Sequence, residues 1–195
     1  MERCRDLVKE RLDEFKSIGE GGNEEIFKEL CFCILTANFS AERCIRIQKE
    51  IGDEFLEKPE ETLAEKLRRL GHRYPEKRAK YIVEARRYKD SLKEILSSKK
   101  KDEVREWLVK NIKGIGYKEA SHFLRNIGIF DFAIIDFHII DLLQKKGLIE
   151  RPKTITKKRY LQIEGLLKEV AEKLGISLGE LDLYLWYIET GKILK

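Results

Sequence analysis

Leu108-Val109-Lys110-Asn111-Ile112-Lys113-Gly114-Ile115-Gly116-Tyr117-Lys118-Glu119-Ala120 is the stretch on which the fold turns. An amphipathic helix carrying Val104, Trp107 and Leu108 runs into Gly-Ile-Gly, and a second helix carrying Ala120, Phe123, Leu124 and Ile127 begins at once. Glycines at 114 and 116 permit positive φ and a close approach of backbone to a ligand. Ile115 can then plug the space between the two helices, while the uncapped amides at the start of the second face outward and can hold a phosphate. A grip on backbone rather than base edges predicts DNA binding with little sequence preference. The same pattern also fits a merely close-packed turn.

Working outward, nearly every segment repeats its apolar residues at helical spacing. Leu7, Phe15 and Ile18 mark an opening helix that is expected to end at Gly19-Glu20-Gly21-Gly22. The segment 24–36, with Ile26, Phe27, Leu30, Phe32, Ile34 and Leu35, predicts a largely buried helix. Asn38 or Ser40 can cap the next one. Further helices are expected around 41–51, 61–70, 76–95, 102–111, 117–127, 137–146, 158–174 and 178–190, with Asp102 as a cap. Gly71, Gly128, Gly147, Gly175 and Gly191 fall where helices should stop. The one β-like run, Phe132-Ala133-Ile134-Ile135, is short and lies between helices, so an all-α fold is predicted.

Composition sets the outer bounds. Of 195 residues 42% are hydrophobic and 38% charged, which supplies both a packed core and a densely charged surface and excludes a disordered chain. Lys and Arg exceed Asp and Glu by 40 to 35, a formal +5. The excess is clustered: residues 66–89 hold ten Lys/Arg against Glu76 and Glu84, and Arg151, Lys153, Lys157, Lys158 and Arg159 form a second group. Clustered positive charge suits a polyanion, although solvated helix faces give the same pattern. Cys4, Cys31, Cys33 and Cys44 lack a paired CxxC framework and read as reduced thiols. No stretch reads as a signal peptide or membrane span, so a cytoplasmic protein with no membrane partner is expected.

Two residues add chemistry. Lys118 lies in the first turn of the second hairpin helix, where the positive end of the helix macrodipole disfavours an ammonium and favours a neutral, nucleophilic amine. A surface lysine resting on a phosphate would occupy the same position. Asp136 follows eighteen residues later in Ile134-Ile135-Asp136-Phe137-His138-Ile139-Ile140. A helix of about ten residues advances on the order of 15 Å, and the segment 128–135 can span about 26 Å at roughly 3.3 Å per residue. The chain can therefore double back and bring Asp136 near Lys118. Asp136 also suits the N-cap of a helix beginning at Phe137, a rigid mount for a carboxylate. His138 is either a phosphate contact or a semi-buried histidine.

Gly114-Ile115-Gly116-Tyr117-Lys118 followed by Ile135-Asp136-Phe137-His138 resembles the signature of the helix-hairpin-helix DNA glycosylase superfamily, and the resemblance covers essentially the whole chain. One departure is the absence of proline from 132–135, where the family has a glycine/proline-rich loop. The resemblance implies a single unit over 1–195, with one lobe at approximately 31–130 (hairpin at 112–118) and another at approximately 1–30 plus 131–195, around a DNA-binding cleft. Leu35-Thr36-Ala37-Asn38-Phe39-Ser40 resembles the segment such proteins insert at a lesion. With no cysteine after Cys44, the iron–sulfur cluster of the endonuclease-III-like branch is not expected, nor is any other cofactor or metal.

The ending from Asp182 to Lys195 resembles that of the archaeal-type 8-oxoguanine DNA glycosylase/lyases. The resemblance implies base recognition by Trp186, Lys195 and Tyr74, and DNA contacts from Gly114, Gly116, Lys113, His138 and Asn38. It implies catalysis by Lys118, through a Schiff base and β-elimination, with Asp136 stabilising the transition state. Core packing for Trp186 and a frayed terminus for Lys195 are the local alternatives. A monomer acting on double-stranded DNA with an oxidised base is expected. A glycosylase for oxidised pyrimidines and a non-catalytic helix-hairpin-helix module are the alternative functions.

Overall fold

In a computed structural model describing residues 2–195, the helical periodicities resolve into α1 (Glu2–Glu20), α2 (Asn23–Thr36), α3 (Ala41–Ile51), α4 (Glu54–Glu57), α5 (Glu60–Arg69) and α6 (Pro75–Ala85). After a 3-10 turn at Arg86–Ser91 follow α7 (Leu92–Ser97), α8 (Lys101–Asn111), α9 (Tyr117–Asn126), α10 (Phe137–Lys145), α11 (Lys157–Leu174) and α12 (Leu178–Thr190). No strand occurs among the described residues, and residues 132–135 run as irregular backbone. The fold is all-α.

Two local expectations are corrected. The helix expected across 76–95 tightens into the 3-10 turn. Tertiary bonds account for it: Arg86 Nε donates to Phe55 O at 2.9 Å, and Asn23 on α2 both donates to Asp90 O and accepts from Lys93 N–H. Asp102 is not a cap, because α8 starts one residue earlier and Glu103 reaches back to the Lys100 amide at 3.3 Å. The opening helix ends at Glu20, within the expected Gly19-Glu20-Gly21-Gly22 stretch. Gly19 also serves close packing, since a Cβ there would sit 2.1 Å from Ile127 O.

Most buried apolar side chains between Ile26 and Phe132 form one cluster around α2, whose residues 30–35 are all fully buried. A second cluster joins Ala133 and Ile135 to α10, α11 and α12, and Val8 and Phe15 of α1 pack on Leu183 of α12. The lobe boundary expected at residue 31 falls inside α2, whose Ile26, Phe27 and Leu30 belong to the larger cluster. Helix α9 packs against α2, α8 and α1, and the chain crosses from one cluster to the other at 128–136. After Gly191, at φ 72°, the tail turns back from α12, and Lys192 pairs with Glu42 in the first turn of α3.

Candidate active site

Between the two larger clusters lies a cavity of about 380 Å³, within the roughly 300–1,000 Å³ of ordinary ligand clefts. One wall is the α2–α3 connection, with Thr36 and Phe39; another is α9, with Lys118, His122 and Arg125. Opposite stand Asp136 and His138 at the start of α10, then Asp182 and Trp186 on α12, with Lys192 and Lys195 from the tail closing one side.

Lys118 and Asp136 therefore line one space. Lys118 is in the first turn of α9, three-quarters buried, with its Nζ 3.3 Å from Glu119 Oε1. Asp136 is the N-cap of α10: one carboxylate oxygen accepts the Ile139 N–H at 3.0 Å, leaving the second uncommitted by the cap. Both charges act on a third group, Asp182. Burial pushes its carboxyl up to about 6; Arg125 pulls it down, Asp136 pushes it up and Lys118 pulls it down. His138 is exposed and packs edge-on against Trp186 at 5.3 Å. The Trp186 Nε1–H is buried and has no hydrogen-bond partner within the protein.

Beneath the cavity runs a chain of polar side chains. Arg125 pairs with Asp182 and donates to Asn126 Oδ1; Asn126 donates to Glu29 Oε1 at 2.7 Å; Glu29 Oε2 accepts from Lys195 Nζ at 2.8 Å. Lys195 thus points its ammonium inward, onto Glu29, Gln48 and the face of Phe32. His122 is buried beside this chain. Desolvation first, and then the charges of Arg125, Lys118 and Lys195, hold its imidazole well below its usual range.

The hairpin has the geometry its glycines require. Gly114 adopts φ 84°, and a Cβ there would meet the Tyr81 ring at 2.6 Å. Ile115 is buried in the larger cluster, between α8 and α9. The first intrahelical bond of α9 runs from Ala120 N–H to Gly116 O, so the amides of Tyr117, Lys118 and Glu119 are those a phosphate can use. The Gly116 amide instead donates to Glu119 Oε2 at 3.3 Å. Lys113, mostly exposed at the same turn, is paired with Glu84 at 2.9 Å.

Asn38 stands exposed at the tip of the α2–α3 connection with φ 59°, the one non-glycine in the left-handed region among the described residues. Arg78 holds the preceding Ala37 carbonyl, and His72 meets Leu35 O at 3.0 Å while stacking on Phe39. Tyr74 does not line the cavity. Its ring lies beside the guanidinium groups of Arg73 and Arg78.

Sequence reasoning missed His122, Arg125 and Asp182. A signal existed for the first two: they follow Lys118 by four and seven residues, the same face of one helix. For Asp182 none did, because its partner Arg125 is 57 residues away. Cys31 and Cys33, fully buried in α2, have thiols that burial pushes well up and are unreactive. Among the described residues no group of three or more His, Cys, Asp or Glu could hold a metal ion, and no helix is long and apolar enough to cross a membrane.

Comparison with known proteins gives the relatives of the whole chain. The family model Ogg-HhH, 8-oxoguanine DNA glycosylase, matches residues 8–176. The chain is similar to a protein of Korarchaeum cryptofilum named 8-oxoguanine DNA glycosylase/AP lyase, 57% identical over 99% of this chain and 92% of that one. The crystal structure of the 8-oxoguanine DNA glycosylase of Thermotoga maritima matches with a TM-score of 0.94 at 54% identity, covering 100% of this chain and 94% of that one. The Methanocaldococcus jannaschii 8-oxoguanine glycosylase/lyase, solved in complex with a 15mer DNA containing 8-oxoguanine, matches with a TM-score of 0.95. It is 57% identical, over 98% of this chain and 93% of that one.

Proposed function

The chain belongs to the 8-oxoguanine DNA glycosylase family, and from that membership we propose that it removes 8-oxoguanine from double-stranded DNA and then cleaves the abasic strand. The observation that carries the reading is a single cavity lined by both a lysine and a capped aspartate, Lys118 and Asp136, beside a phosphate-binding turn.

The hairpin amides hold the DNA backbone and the damaged nucleotide is flipped into the cavity between the two lobes. Asn38, exposed at its loop tip, fills the gap left in the stack. Trp186 and Lys195 read the base, and His138 meets the backbone nearby. The Lys118 amine attacks C1′; the N–C1′ bond forms as the glycosidic bond breaks, and the bonding pair leaves with the base, which takes a proton. The Asp136 carboxylate stabilises the cationic sugar in the transition state. Ring opening gives a Schiff base on Lys118. Loss of a C2′ proton then expels the 3′ phosphate in a β-elimination. One chain supplies every group in this scheme, which is compatible with a monomer acting on DNA.

Borohydride trapping tests the reading. With duplex containing 8-oxoguanine the wild type should give a reduced covalent adduct, and Lys118→Gln none. A Lys118→Gln adduct as abundant as wild type would remove Lys118 from the nucleophile's role. A panel of duplexes with oxidised pyrimidines in place of 8-oxoguanine should be processed more slowly; the reverse order would point to a pyrimidine glycosylase.

A further inference from the structure

The loop leading into Asp136 has no proline to stiffen it, and its irregular backbone has no helix or sheet ladder to satisfy its polar groups. Side chains from distant helices do so instead. Tyr160 on α11 donates its hydroxyl to Ala133 O at 2.7 Å and accepts the Ile135 N–H at 3.3 Å. Glu164, one turn further along α11, accepts the Ala133 N–H at 3.0 Å. The same carboxylate takes both terminal nitrogens of Arg105 on α8, at 2.6 and 2.9 Å. Arg105 in turn reaches Ser121 on α9 at 3.4 Å, and Ser121 Oγ lies 3.4 Å from the Tyr160 hydroxyl. The guanidinium stacks 4.1 Å above the Phe132 ring and 5.4 Å from that of Tyr117, the neighbour of Lys118.

We propose that Tyr160 and Glu164 are positioning residues for base excision: with Arg105 and Ser121 they lock the loop that carries Asp136 to the helix that carries Lys118. The inference rests on the roles given above to Lys118 and Asp136. Stability alone does not explain the arrangement. Arg105, Ser121 and Tyr160 are buried and Glu164 nearly so, and a buried ion pair is commonly replaced by apolar side chains at no loss of stability. Apolar side chains cannot hold the amides and carbonyl at 133 and 135, and Ile135 is joined directly to Asp136. A displacement of about 1 Å at a reacting group costs roughly a hundredfold in rate.

Tyr160→Phe deletes one hydroxyl and tests the proposal on the full chain. Single-turnover excision of 8-oxoguanine should slow by about tenfold to a hundredfold. Affinity for a duplex containing a tetrahydrofuran abasic analogue should stay within about twofold, because the hairpin amides are untouched. The Ile139 amide, which reports on the Asp136 carboxylate, should exchange with solvent faster than in wild type. Unchanged excision overturns the proposal, as does a parallel fall of excision, affinity and thermal stability, which would mark a general loosening. If Tyr160→Phe does not fold, Glu164→Gln is read by the same three measurements. The wild type is run beside each variant: no excision by the wild type counts against the activity itself, whereas an unchanged variant-to-wild-type ratio counts against the positioning role.

Discussion

Lys195 Nζ sits 2.8 Å from Glu29 Oε2, and 4.5 Å from the centre of the Phe32 ring, so the tail is anchored by a carboxylate buried in the middle of α2. The ammonium that would influence a base in the cavity is thus fixed from below. Lys195→Met leaves Glu29 buried with Asn126 as its remaining strong partner and Gln48 at 3.3 Å. Because Lys195 keeps some exposure, the loss of stability should fall at the low end of the roughly 3–5 kcal/mol typical of breaking a buried pair. Adding Glu29→Gln should restore part of that loss in thermal unfolding. Preference for 8-oxoguanine over guanine, taken as a ratio of single-turnover rates, should be reduced in both variants. A preference equal to wild type in both would remove Lys195 from base recognition.

Stability should fall as pH drops from about 7 to 5. Burial holds the imidazoles of His72 and His122 below their ordinary 6.5, so in that range the unfolded chain gains protons that the folded protein refuses. Stability rises with pH wherever the unfolded state binds more protons, by about 1.4 kcal/mol per pH unit for each. Asp182 has the opposite sign. Its folded carboxyl, pushed up to about 6, protonates before the unfolded one does near 3.8, which returns stability between pH 6 and 4. Denaturant midpoints measured across pH 4–8 should show a net loss on the acid side, and Asp182→Asn should steepen it below pH 6. A shallower slope in that variant would overturn the sign assigned to Asp182.

The elements legible in the sequence are those set by short-range rules. The Gly-Ile-Gly turn, the caps at Ser40 and Asp136, and the glycine stops at 128, 147, 175 and 191 all depend on neighbours within four residues. That Asp136 and Lys118 could share one cavity was legible because the length of 128–135 lets the chain double back. What was not legible depends on partners far along the chain. The 3-10 turn at Arg86–Ser91 follows from Asn23 and Phe55, Gly19 is required by Ile127, and the loop before Asp136 is held by Tyr160 and Glu164. Tyr74 is absent from the cavity lining, and its ring instead lies beside the guanidinium groups of Arg73 and Arg78.

The two hairpin glycines should respond differently to alanine. At Gly114 the left-handed φ and the Tyr81 ring 2.6 Å from a Cβ both oppose the change, so Gly114→Ala should cost about 1–3 kcal/mol and weaken DNA binding. At Gly116 the backbone is extended, φ −98° and ψ −171°, and a Cβ would meet only Glu119 Oε2 at 3.3 Å. Gly116→Ala should therefore leave the melting temperature nearly unchanged and act on affinity alone, by holding the phosphate away from the α9 amides. Calorimetry and fluorescence anisotropy separate the two effects. Equal melting losses in both variants would contradict the distinction.

Asp136 has two duties, and substitution can divide them. As N-cap it accepts the Ile139 N–H, a bond that asparagine also makes; removing a cap altogether costs about 1 kcal/mol. Its charge is needed only where the sugar becomes cationic. Asp136→Asn should therefore melt close to wild type and bind 8-oxoguanine duplex normally, while single-turnover excision falls by roughly 100-fold or more, the scale of losing one preorganised electrostatic group. Asp136→Ala should lose both, with the melting temperature lowered by the missing cap. If Asp136→Asn excises 8-oxoguanine at near the wild-type rate, the carboxylate is a cap and nothing more, and stabilising the cation falls to Asp182 or Glu42, the other side-chain carboxylates lining the cavity.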